Sequence, residues 1–149
     1  MLDFVQGGET RLRSIGIGVL STFTVFTLMV VLTDDEGAGA ADWAYLGGSI
    51  VVAAAVWMLG VLRTLRIEGG NGPAAVGLVF GILGVAAIAA FWTAFSFLFG
   101  AAALLLGTEA KRRVVLGAGR PRMARASVVL GGIALMMFAV IWLTVAVSV

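Results

Sequence analysis

From Ala74 to Gly107 the chain carries no charged residue, and only Thr93 and Ser96 bring a polar side chain. As one straight helix these 34 residues would run roughly 51 Å, at about 1.5 Å per residue. The hydrocarbon core of a bilayer is about 30 Å thick. The stretch is therefore either one oversized span or two short ones folded back on each other, and the topology of the whole chain turns on which.

The class follows from how little charge there is. Of 149 residues, 61% are hydrophobic and 12% charged, with a mean hydropathy of +1.11. A soluble domain is about 25% charged, and so few charges cannot cover a core this apolar. The chain is read as an integral, multi-pass, all-α membrane protein, a single transmembrane domain over 1–149. Cysteine and histidine are absent. That leaves no disulfide, no histidine-ligated haem, zinc or copper, and no histidine proton relay, so no cofactor or metal is expected. The basic residues are nine Arg and one Lys. They flank the apolar runs, where anionic lipid rather than nucleic acid is the natural partner. Arg over Lys, with abundant Ala, Gly and Val, suggests a prokaryotic plasma membrane.

In chain order, Arg11 and Arg13 precede an apolar run from Ile15 to Leu32 that is longer than the core of a signal peptide. A first transmembrane helix is expected over 14–33. The loop after it is acidic, with Asp34, Asp35, Glu36 and Asp42. It lacks the alternating ligands and closing Glu of a calcium loop, so a solvated loop is the expectation. Trp43 and Tyr45 suit an interface and open a second helix over 43–62, ended by Arg63 and Arg66. A Gly-rich turn leads to Pro73, suited to a first helical turn. A basic loop is expected over 109–125, with Lys111, Arg112, Arg113, Arg120, Arg122 and Arg125 and the breakers Gly117, Gly119 and Pro121. A last helix is expected over 126–146.

Charge chooses between one span and two. Lys and Arg collect in short cytoplasmic loops. Arg11 and Arg13 put the N-terminus inside; Arg63 and Arg66, and the basic loop, are inside as well. A segment that begins and ends inside crosses an even number of times. Five helices are therefore expected, the third and fourth (74–90 and 94–108) a short hairpin turning near Phe91-Trp92-Thr93. The alternative is four helices with one long third helix. A re-entrant hairpin obeys the same charge logic. Phe91, Trp92 and Phe95, with Trp43 and Trp142, are expected to form one aromatic belt at the outer interface.

Small residues agree with the hairpin. Ala74, Gly77, Gly81, Gly84 and Ala87 recur at steps of 3, 4, 3 and 3, and Ser96, Gly100, Ala103, Gly107 and Ala110 at steps of 4, 3, 4 and 3. Each set lines one helix face, and such seams let membrane helices approach closely. Gly77, Gly81, Gly84, Ser96, Gly100, Ala103 and Gly107 are the expected packing residues.

Chemistry is sparse. No charge falls inside any expected span, which argues against ion-coupled transport. The hydroxyls of Ser21, Thr22, Thr24, Thr27, Ser49 and Thr144 should mostly bond to helix carbonyls. A Ser nucleophile would lack a base, and no catalytic residue is expected. Arg112, Arg113, Arg120, Arg122 and Arg125 are the candidates for contact with anionic lipid or with carboxylates of a partner. The sets Gly77-Leu-Val-Phe-Gly81-Ile-Leu-Gly84, Leu106-Gly-Thr-Glu-Ala-Lys-Arg112 and Leu130-Gly-Gly-Ile133 resemble small bacterial membrane domains that carry no known activity. That resemblance supplies no substrate or cofactor.

The function expected is a non-catalytic accessory or structural subunit that packs with other membrane subunits. The alternative is a small homo-oligomeric channel, transporter or lipid-binding membrane protein; an enzyme or transporter using Asp34, Asp35 and Glu36 is a third reading.

Overall fold

The computed structural model describes residues 2–33, 39–66, 71–90, 93–117 and 119–148. They form five helices: α1 Leu2–Leu32, α2 Ala40–Arg66, α3 Gly72–Ala90, α4 Phe95–Val115 and α5 Pro121–Ser148. No strand occurs among the described residues. Four helices contain runs long and apolar enough to cross a membrane: Ser14–Leu32, Ala40–Arg66, Gly72–Ala90 and Pro121–Ser148. The single long third helix is ruled out, because α3 ends at Ala90 and α4 begins at Phe95.

The helices run past the bounds their apolar content suggests, for local reasons. α1 starts at Leu2. α2 starts at Ala40, where the Asp42 carboxylate accepts the Gly39 N–H at 2.9 Å, half of a capping box. α2 ends at Arg66, with Arg63 and Arg66 in the last turn, where cations complement exposed carbonyls. α4 runs on to Val115 because Glu109 to Arg113 are strong helix formers, and Arg113 pairs with Glu109 at 3.3 Å. Most of the basic segment over 109–125 is thus helical, and the link narrows to 116–120. There Gly117 (φ 84°) and Gly119 (φ 127°) take backbone angles that favour glycine. Gly117 follows the α4 C-cap, the usual place for a left-handed residue.

The chain divides into two compact units, Met1–Ala54 and Ala55–Val149. In the first, Gly16, Phe23, Thr27 and Val31 make one buried stripe on α1, and Ser49 and Ala53 are buried on α2. The acidic residues Asp34, Asp35 and Glu36 lie outside the described residues.

The second unit holds the end of α2 and a bundle of α3, α4 and α5. Within α2, Val56–Leu62 winds as a π-helix. Gly60 lies in it, and the Phe80 ring of α3 fills the space where a side chain would stand, 2.5 Å from a Cβ built there. Phe80 stacks on Phe99 of α4 at 5.8 Å.

α3 and α4 are antiparallel. Ser96 donates to the Gly84 carbonyl at 2.9 Å, and Ala74 clusters with Ala110. α4 therefore lies alongside α3 from Ser96–Gly84 to Ala110–Ala74, although Glu109, Lys111 and Arg112 shorten its apolar run. The turn needs no Gly or Pro. α3 tightens into a 3₁₀ turn over Ala87–Ala90, and Thr93 donates both its N–H (2.9 Å) and its hydroxyl (2.8 Å) to the Ala90 carbonyl. Phe91 and Trp92 lie outside the described residues. Of the aromatic belt, Trp142 packs on Phe138, itself against Phe97; Trp43 belongs to the first unit and is half exposed.

The small seams meet a third partner as well as each other. α5 lays Ala124, Ser127, Gly131, Ala134 and Phe138, all buried, into the groove between α3 and α4. The Ser127 side chain faces both Gly77 and Gly107, Leu130 faces Gly81, and Ala134 sits between Gly84 and Gly100. A Cβ built on Gly131 would lie 2.8 Å from both the Gly100 carbonyl oxygen and the Leu104 nitrogen. Backbones this close gain dispersion and weak Cα–H···O contacts, which stand in for a hydrophobic drive in lipid.

Candidate functional site

The antiparallel arrangement brings the basic residues of the second unit to one end. The C-terminal end of α2, the C-terminal end of α4 and the N-terminal end of α5 lie there together, carrying Arg63, Arg66, Lys111, Arg112, Arg113, Arg120, Arg122 and Arg125.

Arg113 faces inward. Its side chain is 15% exposed and pairs with Glu109, and its Nη2 donates to the Leu65 carbonyl of α2 at 3.1 Å. A guanidinium on the last turn of α2 complements the negative end of that helix. Arg113 thus ties α4 to α2. Arg112, Arg120, Arg122 and Arg125 are exposed, as is Lys111.

Lys111 and Arg125 border a cleft of about 310 Å³ between the ends of α4 and α5, with Val114, Val115, Pro121 and Ala124 as its walls. Ala124 is fully buried at its base, whereas Val115 is 86% exposed. The cleft exists because Pro121, fixed near helical φ, starts α5 directly beside the last turn of α4. Among the described residues no acidic side chain lines it. Among the described residues neither Lys111 nor Arg125 has an ion pair or hydrogen bond.

Charge and Gly-Pro punctuation in the sequence point to Arg112, Arg113, Arg120, Arg122 and Arg125, of which Arg113 turns inward to Glu109 and Leu65. Lys111 is not in that set, because its place beside the cleft with Arg125 depends on how α4 and α5 pack. Nearby, Asn71 caps no N–H of α3 with its side chain, and its buried Oδ1 has no partner among the described residues.

Several hydroxyls elsewhere are spent locally. Thr24 donates to the Leu20 carbonyl, Thr27 to Phe23 and Thr144 to Val140, each within its own helix. Ser96 and Ser127 donate across helices, to Gly84 and Ala103, each at 2.9 Å. Among the described residues no group of three or more Asp, Glu, His or Cys is placed to hold a metal. The packing residues Gly77, Gly81, Gly84, Ser96, Gly100, Ala103 and Gly107 are all buried in the α3–α4–α5 contact. The residues sequence reasoning missed are Ser127, Gly131 and Ala134, which complete that contact. Their signal was available: Ala124, Ser127, Gly131, Ala134 and Phe138 fall at steps of 3, 4, 3 and 4.

No family model, no curated protein and no solved structure matches this chain.

Proposed function

We propose that this protein is a non-catalytic accessory subunit that packs within a larger assembly in a prokaryotic plasma membrane. Its N-terminus and basic end are cytoplasmic, by the rule that places Lys and Arg of short loops inside. The observation that carries the reading is the closure of α3, α4 and α5 on one another. Ser127 fills the space between Gly77 and Gly107, and Ala134 that between Gly84 and Gly100. Helices meshed this closely leave no interior for a solute path, and the buried Ser96 and Ser127 hydroxyls are already committed to carbonyls.

What this unit offers outward is helix surface. On the side of α5 away from the mesh, Met136 (69% exposed), Val140 (59%), Leu143 (66%) and Val147 (80%) form a stripe at steps of 4, 3 and 4. Met and branched aliphatics on such a stripe adapt readily to a partner helix. The test is a photo-crosslinking residue at Val140, activated in native membranes. A discrete adduct with a different membrane protein is expected. Adducts only with lipid would sink the accessory reading, and adducts only with a second copy would replace it with a homo-oligomer.

A further inference from the structure

We propose that the cleft between Lys111 and Arg125 binds the phosphate of an anionic glycerophospholipid. The inference stands apart from the accessory-subunit reading. Four observations carry it.

First, the two cations reach the cleft from different helices, α4 and α5, and among the described residues no acidic side chain lines it. Lys supplies three donors and Arg a planar fork, a set that suits phosphate oxygens. Second, neither cation is spent elsewhere among the described residues, in contrast to Arg113, which is committed to Glu109 and Leu65. Third, the depth is right. Arg125 is the last charged residue before the apolar run over 126–148, and Lys111 lies across the cleft from it, so both stand where lipid phosphates meet the hydrocarbon edge. Fourth, α5 carries a path for an acyl chain. Val129 and Ile133, 57% and 40% exposed, follow Arg125 at steps of four on the same helix face. They cover the basic half of the span and leave the stripe from Met136 to Val147 to a protein partner.

The experiment is native mass spectrometry of the detergent-solubilised protein, titrated with phosphatidylglycerol, phosphatidylcholine or inorganic phosphate. One tight phosphatidylglycerol adduct is expected, with phosphatidylcholine much weaker and inorganic phosphate unable to displace it. The double variant K111Q/R125Q should lower phosphatidylglycerol affinity about thirtyfold, or roughly fivefold for each surface cation. The variant R120Q/R122Q removes as much charge from residues that do not line the cleft, so it should weaken binding far less than K111Q/R125Q does. Equal losses in both variants would mean diffuse surface attraction and overturn the proposal, as would unchanged affinity in K111Q/R125Q. Displacement by inorganic phosphate would mark a soluble-anion site and reject the lipid. A co-purifying acidic protein lost on K111Q/R125Q, with lipid binding unchanged, would reassign the cleft to that protein.

Discussion

A side chain on Gly131 would stand 2.8 Å from the carbonyl oxygen of Gly100. The obstacle is backbone, which cannot swing aside as a flexible side chain can. α4 and α5 are held at a separation that only glycine allows at position 131. The neighbouring Gly132 has nothing within 4 Å of its Cβ position.

The two adjacent glycines therefore predict opposite outcomes. Gly131→Ala should destabilise by about 1–3 kcal/mol, the range for overpacking a closed core. Gly132→Ala should be neutral or stabilise by up to about 1 kcal/mol, through helix propensity. Unfolding of the two variants in mixed micelles measures the difference directly.

Ser127→Ala removes the hydroxyl that donates to Ala103 but keeps the small volume between Gly77 and Gly107. A loss of about 0.6 kcal/mol is expected, the mean for such bonds between membrane helices. Ser127→Val keeps no donor and adds bulk against Gly107, so it should cost clearly more, about 1–3 kcal/mol. A double-mutant cycle with Gly107→Ala should show non-additive coupling.

At the link between α4 and α5, Gly117→Ala should cost about 1 kcal/mol, because a left-handed residue tolerates Cβ poorly. Gly117→Asn should cost less, since Asn is the usual substitute at this place after a helix. Thermal unfolding of both variants checks the order.

Arg113→Gln should loosen the end of α2 from α4, because it removes a charge-assisted bond to the Leu65 carbonyl. The expected cost is about 1.5–3 kcal/mol in full burial, and less here because the group is partly exposed. Hydrogen exchange should quicken at Leu65 and Arg66. Arg112→Gln, on the exposed face, should leave that exchange unchanged.

Much of this was legible in the sequence, and the reason is electrostatic. Arg63 and Arg66 before the long apolar stretch, and Lys111 to Arg113 after it, predict a return toward the same side, and the chain does turn back between Ala90 and Phe95. The turn itself was harder to read. Its signal is Thr93, whose hydroxyl and N–H both close on Ala90, and Thr is common enough in membrane helices to hide that role. The small-residue steps marked Gly77 to Gly84 and Ser96 to Gly107 as seams but could not say how many helices share them. With 21 glycines in the chain, the pairing of α5 through Ser127, Gly131 and Ala134 depends on which helices the short links bring together. The same limit hid the division of labour among the basic residues. Arg113 turns inward because Leu65 ends a helix beside it, and Lys111 meets Arg125 only across the α4–α5 gap.

The hairpin returns α4 to the side from which α3 starts, and the proposal places that basic end in the cytoplasm. The chain has no cysteine of its own, so single cysteines can be placed by Thr93→Cys and Arg120→Cys and probed in intact cells with a membrane-impermeant maleimide. Labelling of the position 93 variant from outside is predicted, with the position 120 variant labelled only after permeabilisation. Labelling of the position 120 variant from outside intact cells would contradict the account.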